Sequence, residues 1–431
     1  WLQVGVKHYE EEALDLAEFY FRRVWDLRDR ITISAAAPLY LSRILIQEGQ
    51  SRSALELLEE AWSLGLEPAG DITLALAGLY IEEERFAEAE QLLEGLLAGD
   101  TPSESEVRYR LSFVYFSRGR AAEALTLIED TFSGGRAGAY AAELLRLRSR
   151  SLGALERYRE ALQAIREYLA LEPEDGVGRF EYATLLFRLG EYQRLLEVLD
   201  ESGEGFDAAD AAYLRGLAQV GLGRYEAAVT TLSRLEGEET LGPYRDYYLA
   251  WANYRLGRNS RALELFDRIS RERSSPFAAR AAYLGGWSAY VIGSYERAAE
   301  LLRRVSSFNT TLDTQEDAWR LLAETYRAAD ELQEALSVYR TIIAEAQRSG
   351  VIAEAWLSYA LLLEELDRPR EAINELSSLN SQFPGTEQGE RALYEMGRLY
   401  LGRGSYEEAR EQFRAYRRRY EEGQYADAAL Y

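Results

Sequence analysis

Along most of this chain, apolar side chains return at i, i+3, i+4 and i+7 until a Gly or another turn residue breaks the run. Trp319, Leu322, Ala323 and Tyr326 form one such set, and Leu393, Met396, Gly397 and Tyr400 another. Each set lies on one helical face. Beyond the turn comes a short phrase ending in alanine: Gly223, Tyr225, Ala228; Gly293, Tyr295, Ala298; Gly404, Tyr406, Ala409. Taking that alanine as anchor gives Ala54, Ala89, Ala124, Ala161, Leu195, Ala228, Ala262, Ala298, Ala335, Ala372 and Ala409, spaced by 33 to 37 residues. Strong helix formers flank every turn, and glycines such as Gly119, Gly190 and Gly257 can end a helix in the left-handed conformation. Small residues at the anchor and twelve positions before it let two helices approach. Large ones four positions after it (Leu93, Ile165, Phe266, Tyr339, Phe413) fill the space. The pattern predicts an all-α array of helix–turn–helix units.

Leu393-x2-Met396-Gly397-x2-Tyr400 with Ala409-x3-Phe413, and Trp319-x2-Leu322-Ala323-x2-Tyr326 with Ala335-x3-Tyr339, resemble the tetratricopeptide repeat family. That family's closing proline stands at Pro102, Pro173 and Pro384. The resemblance covers residues ~35–431 and implies a right-handed superhelical solenoid whose first helices line a concave surface. About eleven repeats are expected over 35–424, after an N-terminal segment 1–34 holding one helix (7–29) and a connector. Ala429-Leu430-Tyr431 repeats Ala392-Leu393-Tyr394 after 37 residues, so 425–431 is expected to begin a further, truncated repeat. Both ends read as cut from a longer protein. The last three spacings, each 37, and the phrase Phe383-Pro384-Gly385-Thr386 are similar to bacterial cell-envelope members of the family. They lean the localisation toward the periplasm or envelope.

Composition narrows the chemistry. There are 73 acids against 50 cations, a net charge of −23. Lys7 is the single lysine, His8 the single histidine, and cysteine is absent. Disulfides, thiol nucleophiles and zinc-thiolate sites are excluded, and one histidine builds no multi-histidine metal centre. No glycine-rich phosphate loop precedes Lys7. Carboxylate pairs such as Glu83/Glu84 and Glu174/Asp175 lie on exposed faces or turns. The glycine pieces Gly134-Gly135 and Gly203/Gly205 read as inter-helix turns. We therefore expect no enzyme activity, no cofactor and no metal. The acidic surface disfavours nucleic acid and anionic lipid, and no apolar run reaches the ~18 residues of a membrane span.

A ligand face is legible within the repeat. Offsets −15, −11 and −8 from the anchor share a second face of the first helix. In mid-chain it turns aromatic: Phe180, Tyr213, Tyr247 and Tyr283 at −15, Trp251 and Trp287 at −11, Phe187, Tyr254 and Tyr290 at −8. Such a groove suits an extended peptide or amphipathic helix, with Arg255 adding a hydrogen bond or cation–π contact. The competing reading is that these rings fill the interior or pack between repeats. A Lys/Asn carboxylate clamp is not supported, because lysine is absent from the array. Arg146 and Arg150 can take an acidic group, or stand solvated near Glu143. Residues 71–106 carry a net −9, and the last helix carries Arg414, Arg417, Arg418 and Arg419 with Tyr416 and Tyr420, a second partner patch. The expected role is a non-catalytic scaffold binding a protein or peptide in its concave groove. Two alternatives stand beside it: an envelope assembly component working through edges and ends, and the sensor domain of a peptide-responsive regulator. Homo-oligomers through the unfinished ends are also expected.

Overall fold

The computed structural model describes residues 1–99, 103–201, 208–235 and 242–430, and among them it has helices and no strand. Asp100, Pro102, the Gly203/Gly205 piece and Tyr431 lie outside the described residues. The chain forms two compact units, 1–214 and 215–431.

The first unit stacks helix pairs α1 (Leu2–Glu10) and α2 (Leu14–Trp25), α3 (Ala36–Gln47) and α4 (Ser51–Ser63), α5 (Ala69–Glu82) and α6 (Phe86–Leu97). It continues with α7 (Glu104–Ser117) and α8 (Ala121–Ser133), α9 (Ala141–Ala154) and α10 (Tyr158–Leu171), α11 (Gly176–Arg188) and α12 (Tyr192–Glu201). Helix α13 (Ala208–Gly221) crosses the division between the units. The second unit then holds α14 (Tyr225–Ser233), α15 (Gly242–Arg255) and α16 (Asn259–Arg271), α17 (Ala278–Val291) and α18 (Tyr295–Val305), α19 (Leu312–Ala328) and α20 (Leu332–Glu345). Last come α21 (Ser349–Glu365) and α22 (Pro369–Gln382), then α23 (Glu387–Gly402) and α24 (Tyr406–Arg419). First helices touch the first helix of the next pair, as in α3–α5–α7–α9 and in α21–α23, so they share a face.

One turn recurs in all these pairs. The residue five before each anchor is left-handed: Gly49, Gly119, Gly190, Gly223, Gly257, Gly293 and Gly404, but Glu84, Glu156, Asp330 and Asp367 elsewhere. The next N–H closes on the carbonyl five residues back, as Gln50 on Leu45 (2.8 Å) and Arg258 on Asn253 (2.9 Å), which satisfies the helix end. The anchor N–H then bonds that same turn residue, Ala54 to Gln50 at 3.1 Å, and starts the second helix. Every anchor, Leu195 included, is buried.

The N terminus departs from expectation. Instead of one helix over 7–29, two helices meet at Glu12, which is left-handed, and Ala17 is buried where an anchor belongs. This is a further helix pair, 37 residues ahead of Ala54. The helix-forming glutamates Glu11 and Glu12 hid its turn, with no preceding repeat to set the phase as there is at Glu84 and Glu156. At the other end the described residues of 425–431 make a short 3₁₀ turn (Ala428–Leu430), with Tyr425 stacked on Tyr394 at 4.6 Å.

A buried carboxylate joins two successive pairs in the second unit. Glu316 on α19 is fully buried and accepts from the backbone N–H of Gln347 (2.6 Å) and Arg348 (3.3 Å) and from the Arg348 guanidinium, pinning the start of α21. Burial alone would raise its carboxyl, but those donors outweigh it and hold it below the ordinary 4.5.

Gly257→Ala should cost about 1–2 kcal/mol, while Glu84→Gly should gain about 0.5–1 kcal/mol, because only the first forces a side chain into a left-handed turn. Thermal unfolding of the two variants should shift in opposite directions; shifts of the same sign would refute the argument. Glu316→Gln should cost about 2 kcal/mol at neutral pH. A carboxyl held low stabilises above its unfolded value of about 4.5 and loses that effect as pH falls through its folded value. The gap between variant and wild type should therefore narrow in unfolding measured from pH 7 to pH ~3.5.

Candidate functional site

The nine rings singled out by register divide between the units. Phe180, Phe187 and Tyr213 belong to the first unit and are half-buried. The other six belong to the second, where α15 and α17 each present one aromatic row.

Tyr247 corrects the expectation. Only 5 % of it is exposed, and it stacks on Phe277 at 4.2 Å with ring planes 10° apart. Burial pushes its hydroxyl up to about 12. It is core, because Phe277, in the connection before α17, closes over this offset. Nothing in the repeat register marks that connection as aromatic.

The remaining rings stay accessible. Trp251 and Tyr254 lie 5.6 Å apart on α15, Trp287 and Tyr290 6.2 Å apart on α17, and Tyr283 is half-buried one turn earlier. Trp287 is 37 % exposed and is followed by exposed Val291. The packing face of the same helix is closed, with Ala281, Ala282, Gly285 and Ala289 buried. Arg255 lies over Tyr225 (4.8 Å) and Trp251 (5.8 Å), and Arg280 also lies over Trp251 (5.6 Å). Charge and rings thus meet at one patch.

The arginine pair Arg146 and Arg150 finds an acid of its own. Arg146 Nη2 is 2.9 Å from Glu181, in the following pair, and Arg150 is 3.8 Å from the same carboxylate. Glu181, rather than Glu143, is the partner, so the acidic group expected from outside is supplied internally. In the acidic stretch, Glu88 pairs with Arg85, Glu90 with Arg118 and Arg120, Glu104 with Arg108 and Glu106 with Arg110. Of these, Glu90 ties its helix to the following pair, and the other three acids are matched within three or four residues. On α24, Arg414, Arg417, Arg418 and Arg419 are exposed. Tyr416 is fully buried, bonded to Glu390, and the Tyr420 hydroxyl donates to the Pro384 carbonyl at 2.6 Å. The tyrosines therefore face inward and do not alternate with the arginines on one surface.

Sequence reasoning missed a recess. A cavity of about 440 Å³ opens on the first-helix face of the first unit between α3, α5 and α7. Its lining includes Leu39, Arg43, Ile46, Asp71, Leu74, Gly78, Glu82 and Arg110. Leu39, Arg43 and Ile46 occupy offsets −15, −11 and −8, the registers that carry rings in the second unit. Gly78 holds the −11 position of the next pair, and a Cβ there would collide with the Arg110 guanidinium, which instead lies across α5 and reaches Glu106 at 2.6 Å. A glycine in that register was the available signal.

Carboxyls with a shifted pKa move downward, each held by arginine or backbone N–H: Glu88, Glu123, Glu160, Asp175, Glu316 and Glu371. A general acid at neutral pH needs the opposite direction. Among the described residues no helix is long and apolar enough to cross a membrane.

Family models described as tetratricopeptide repeat match residues 45–104 and 80–146, 146–202 and 247–310, and 391–422, together more than half of the chain. A tetratricopeptide repeat protein from Parabacteroides merdae is similar at 19 % identity and a TM-score of 0.46, over 59 % of this chain and 98 % of that one. The human IFIT1 dimer with PPP-AAAA is similar at 15 % identity and 0.41, over 93 % and 94 %. MamA (41 to end) from Desulfovibrio magneticus is similar at 23 % and 0.35, over 41 % and 98 %. At these values none of the three speaks to ligand or role. No curated protein matches the chain.

Gly78→Ala should be tolerated or gain up to about 1 kcal/mol, since alanine favours the helix and only the mobile end of Arg110 must move. Thermal unfolding checks this. A clear loss of stability would show that Gly78 is required for packing rather than for the recess.

Proposed function

The chain belongs to the tetratricopeptide repeat family, and from that premise we propose that it is a non-catalytic interaction scaffold holding a peptide or helix of a protein partner on its first-helix face. The observation that carries the proposal is the accessible aromatic row of the second unit. Trp251, Tyr254, Tyr283, Trp287 and Tyr290 keep part of their surface open while the neighbouring packing positions are closed. Large rings offer contact area at low entropic cost, and two rows on adjacent first helices suit the spaced anchors of an extended segment or a helix face. Phe180, Phe187 and Tyr213 occupy the same offsets in the first unit and are candidates for the same work there.

A second reading, assembly through the charged ends, draws support from α24. Arg414, Arg417 and Arg418 are exposed and have no carboxylate partner among the described residues.

Affinity capture from a lysate of the source organism, read by mass spectrometry, tests the first reading. Wild type and a Trp251→Ala/Trp287→Ala double variant run in parallel, with circular dichroism confirming equal helicity. The expected outcome is a protein held by wild type and lost by the variant, a weakening of at least about 2 kcal/mol. Equal capture by both overturns the aromatic-face reading and favours the ends.

A further inference from the structure

We propose that the patch around Trp251 selects acidic segments. Arg255 and Arg280 take carboxylates of a partner peptide whose apolar side chains rest on Tyr254, Trp287 and Tyr290. The inference rests on the reading of this face as a peptide site and adds the chemistry of its occupant.

The first support is an imbalance of pairing. In the same stretch, Arg258 meets Glu226 at 2.8 Å, Arg297 meets Asp267 at 2.5 Å and Arg304 meets Glu300 at 2.9 Å. Arg255 and Arg280, like Arg273 and Arg303 nearby, are exposed and have no carboxylate partner among the described residues, in a chain of net charge −23, but these two also converge over the Trp251 ring. Acids are abundant, yet none is placed here. The second support is position. Arg280 is the third residue of α17, in the first turn, where the helix dipole disfavours a cation. Local helix energetics do not account for it, whereas Arg255 at the carboxyl end of α15 is favoured there. The third is geometry. A guanidinium lying over an indole leaves N–H donors at its edge, free to grip a carboxylate in a paired fashion, while the ring offers its remaining surface to apolar groups.

The patch also has a direction. In the next pair offset −11 is Glu324, exposed and without an ion-pair partner among the described residues. Bound segments therefore place their acids toward Trp251 and their neutral or basic end toward Glu324. Arginine and rings also suit a nucleic-acid strand, but Glu324 and the net charge oppose a continuous run of phosphates.

A display library of short random peptides tests this on the whole chain, panned against wild type, Arg255→Gln/Arg280→Gln and Trp251→Ala/Trp287→Ala. Wild type should enrich peptides combining Asp or Glu with large apolar residues. The arginine variant should lose the acidic preference and keep the apolar one. A synthetic copy of the most enriched peptide should bind the arginine variant about tenfold more weakly and lose affinity in high salt. Neutral or basic peptides enriched by wild type would overturn the acidic assignment and leave the peptide site standing. Identical enrichment by wild type and the tryptophan variant would overturn both. A single-stranded oligonucleotide binding more tightly than any enriched peptide, with the same dependence on both arginines, would overturn the peptide assignment.

Discussion

Each helix pair depends on one reversal. A left-handed residue ends the first helix, the following N–H reaches back to that helix, and a buried anchor, alanine except at Leu195, opens the second. The turn brings two amphipathic helices to close range, and the alanine removes the side chain that would hold them apart. All other features are set by their distance from this point: the packing face, the ligand offsets, and the carboxylates that reach the next pair. Because the backbone requirement is conformational, glycine meets it at the least cost, yet Glu84, Glu156, Asp330 and Asp367 also meet it.

Charge is distributed by the same geometry. Arg146 with Glu181, Arg258 with Glu226 and Arg348 with Glu316 each join one pair to the next. Most are exposed or half-exposed and contribute little singly. The exception is Glu316, whose burial makes its three donors necessary. Other arginines lie on rings without a carboxylate partner among the described residues, as Arg43 on Tyr40 and Arg166 on Tyr182, but at Trp251 two of them, Arg255 and Arg280, meet on one ring.

Fold class was legible because the anchor repeats in the sequence itself, and the spacing needs no tertiary information. Legibility failed at the N terminus, where Glu12 stands in the turn and no preceding repeat sets the phase as it does for Glu84 and Glu156, so a whole helix pair read as half of one. Within the candidate site, the register placed Trp251, Tyr254, Trp287 and Tyr290 on an accessible face but gave Tyr247 the same standing. Whether a ring is covered depends on what the connecting segment brings over it, and Phe277 lies outside the periodic positions. Arg146 and Arg150 were visible as a pair, but their acid sits 35 residues away from Arg146, in the following repeat. The recess at Gly78 depends on a missing side chain, which a search for rings and charges does not register.

The reach of the ties between pairs carries a kinetic consequence. Arg28 binds Glu60 across 32 positions, Arg146 binds Glu181 across 35, and Asn380 meets Tyr420 across 40. Partners this near in sequence close small loops, so little chain entropy is lost before a contact forms. A nascent chain leaving the ribosome has each pair's docking surface complete once the next pair emerges. Folding can therefore keep pace with synthesis pair by pair.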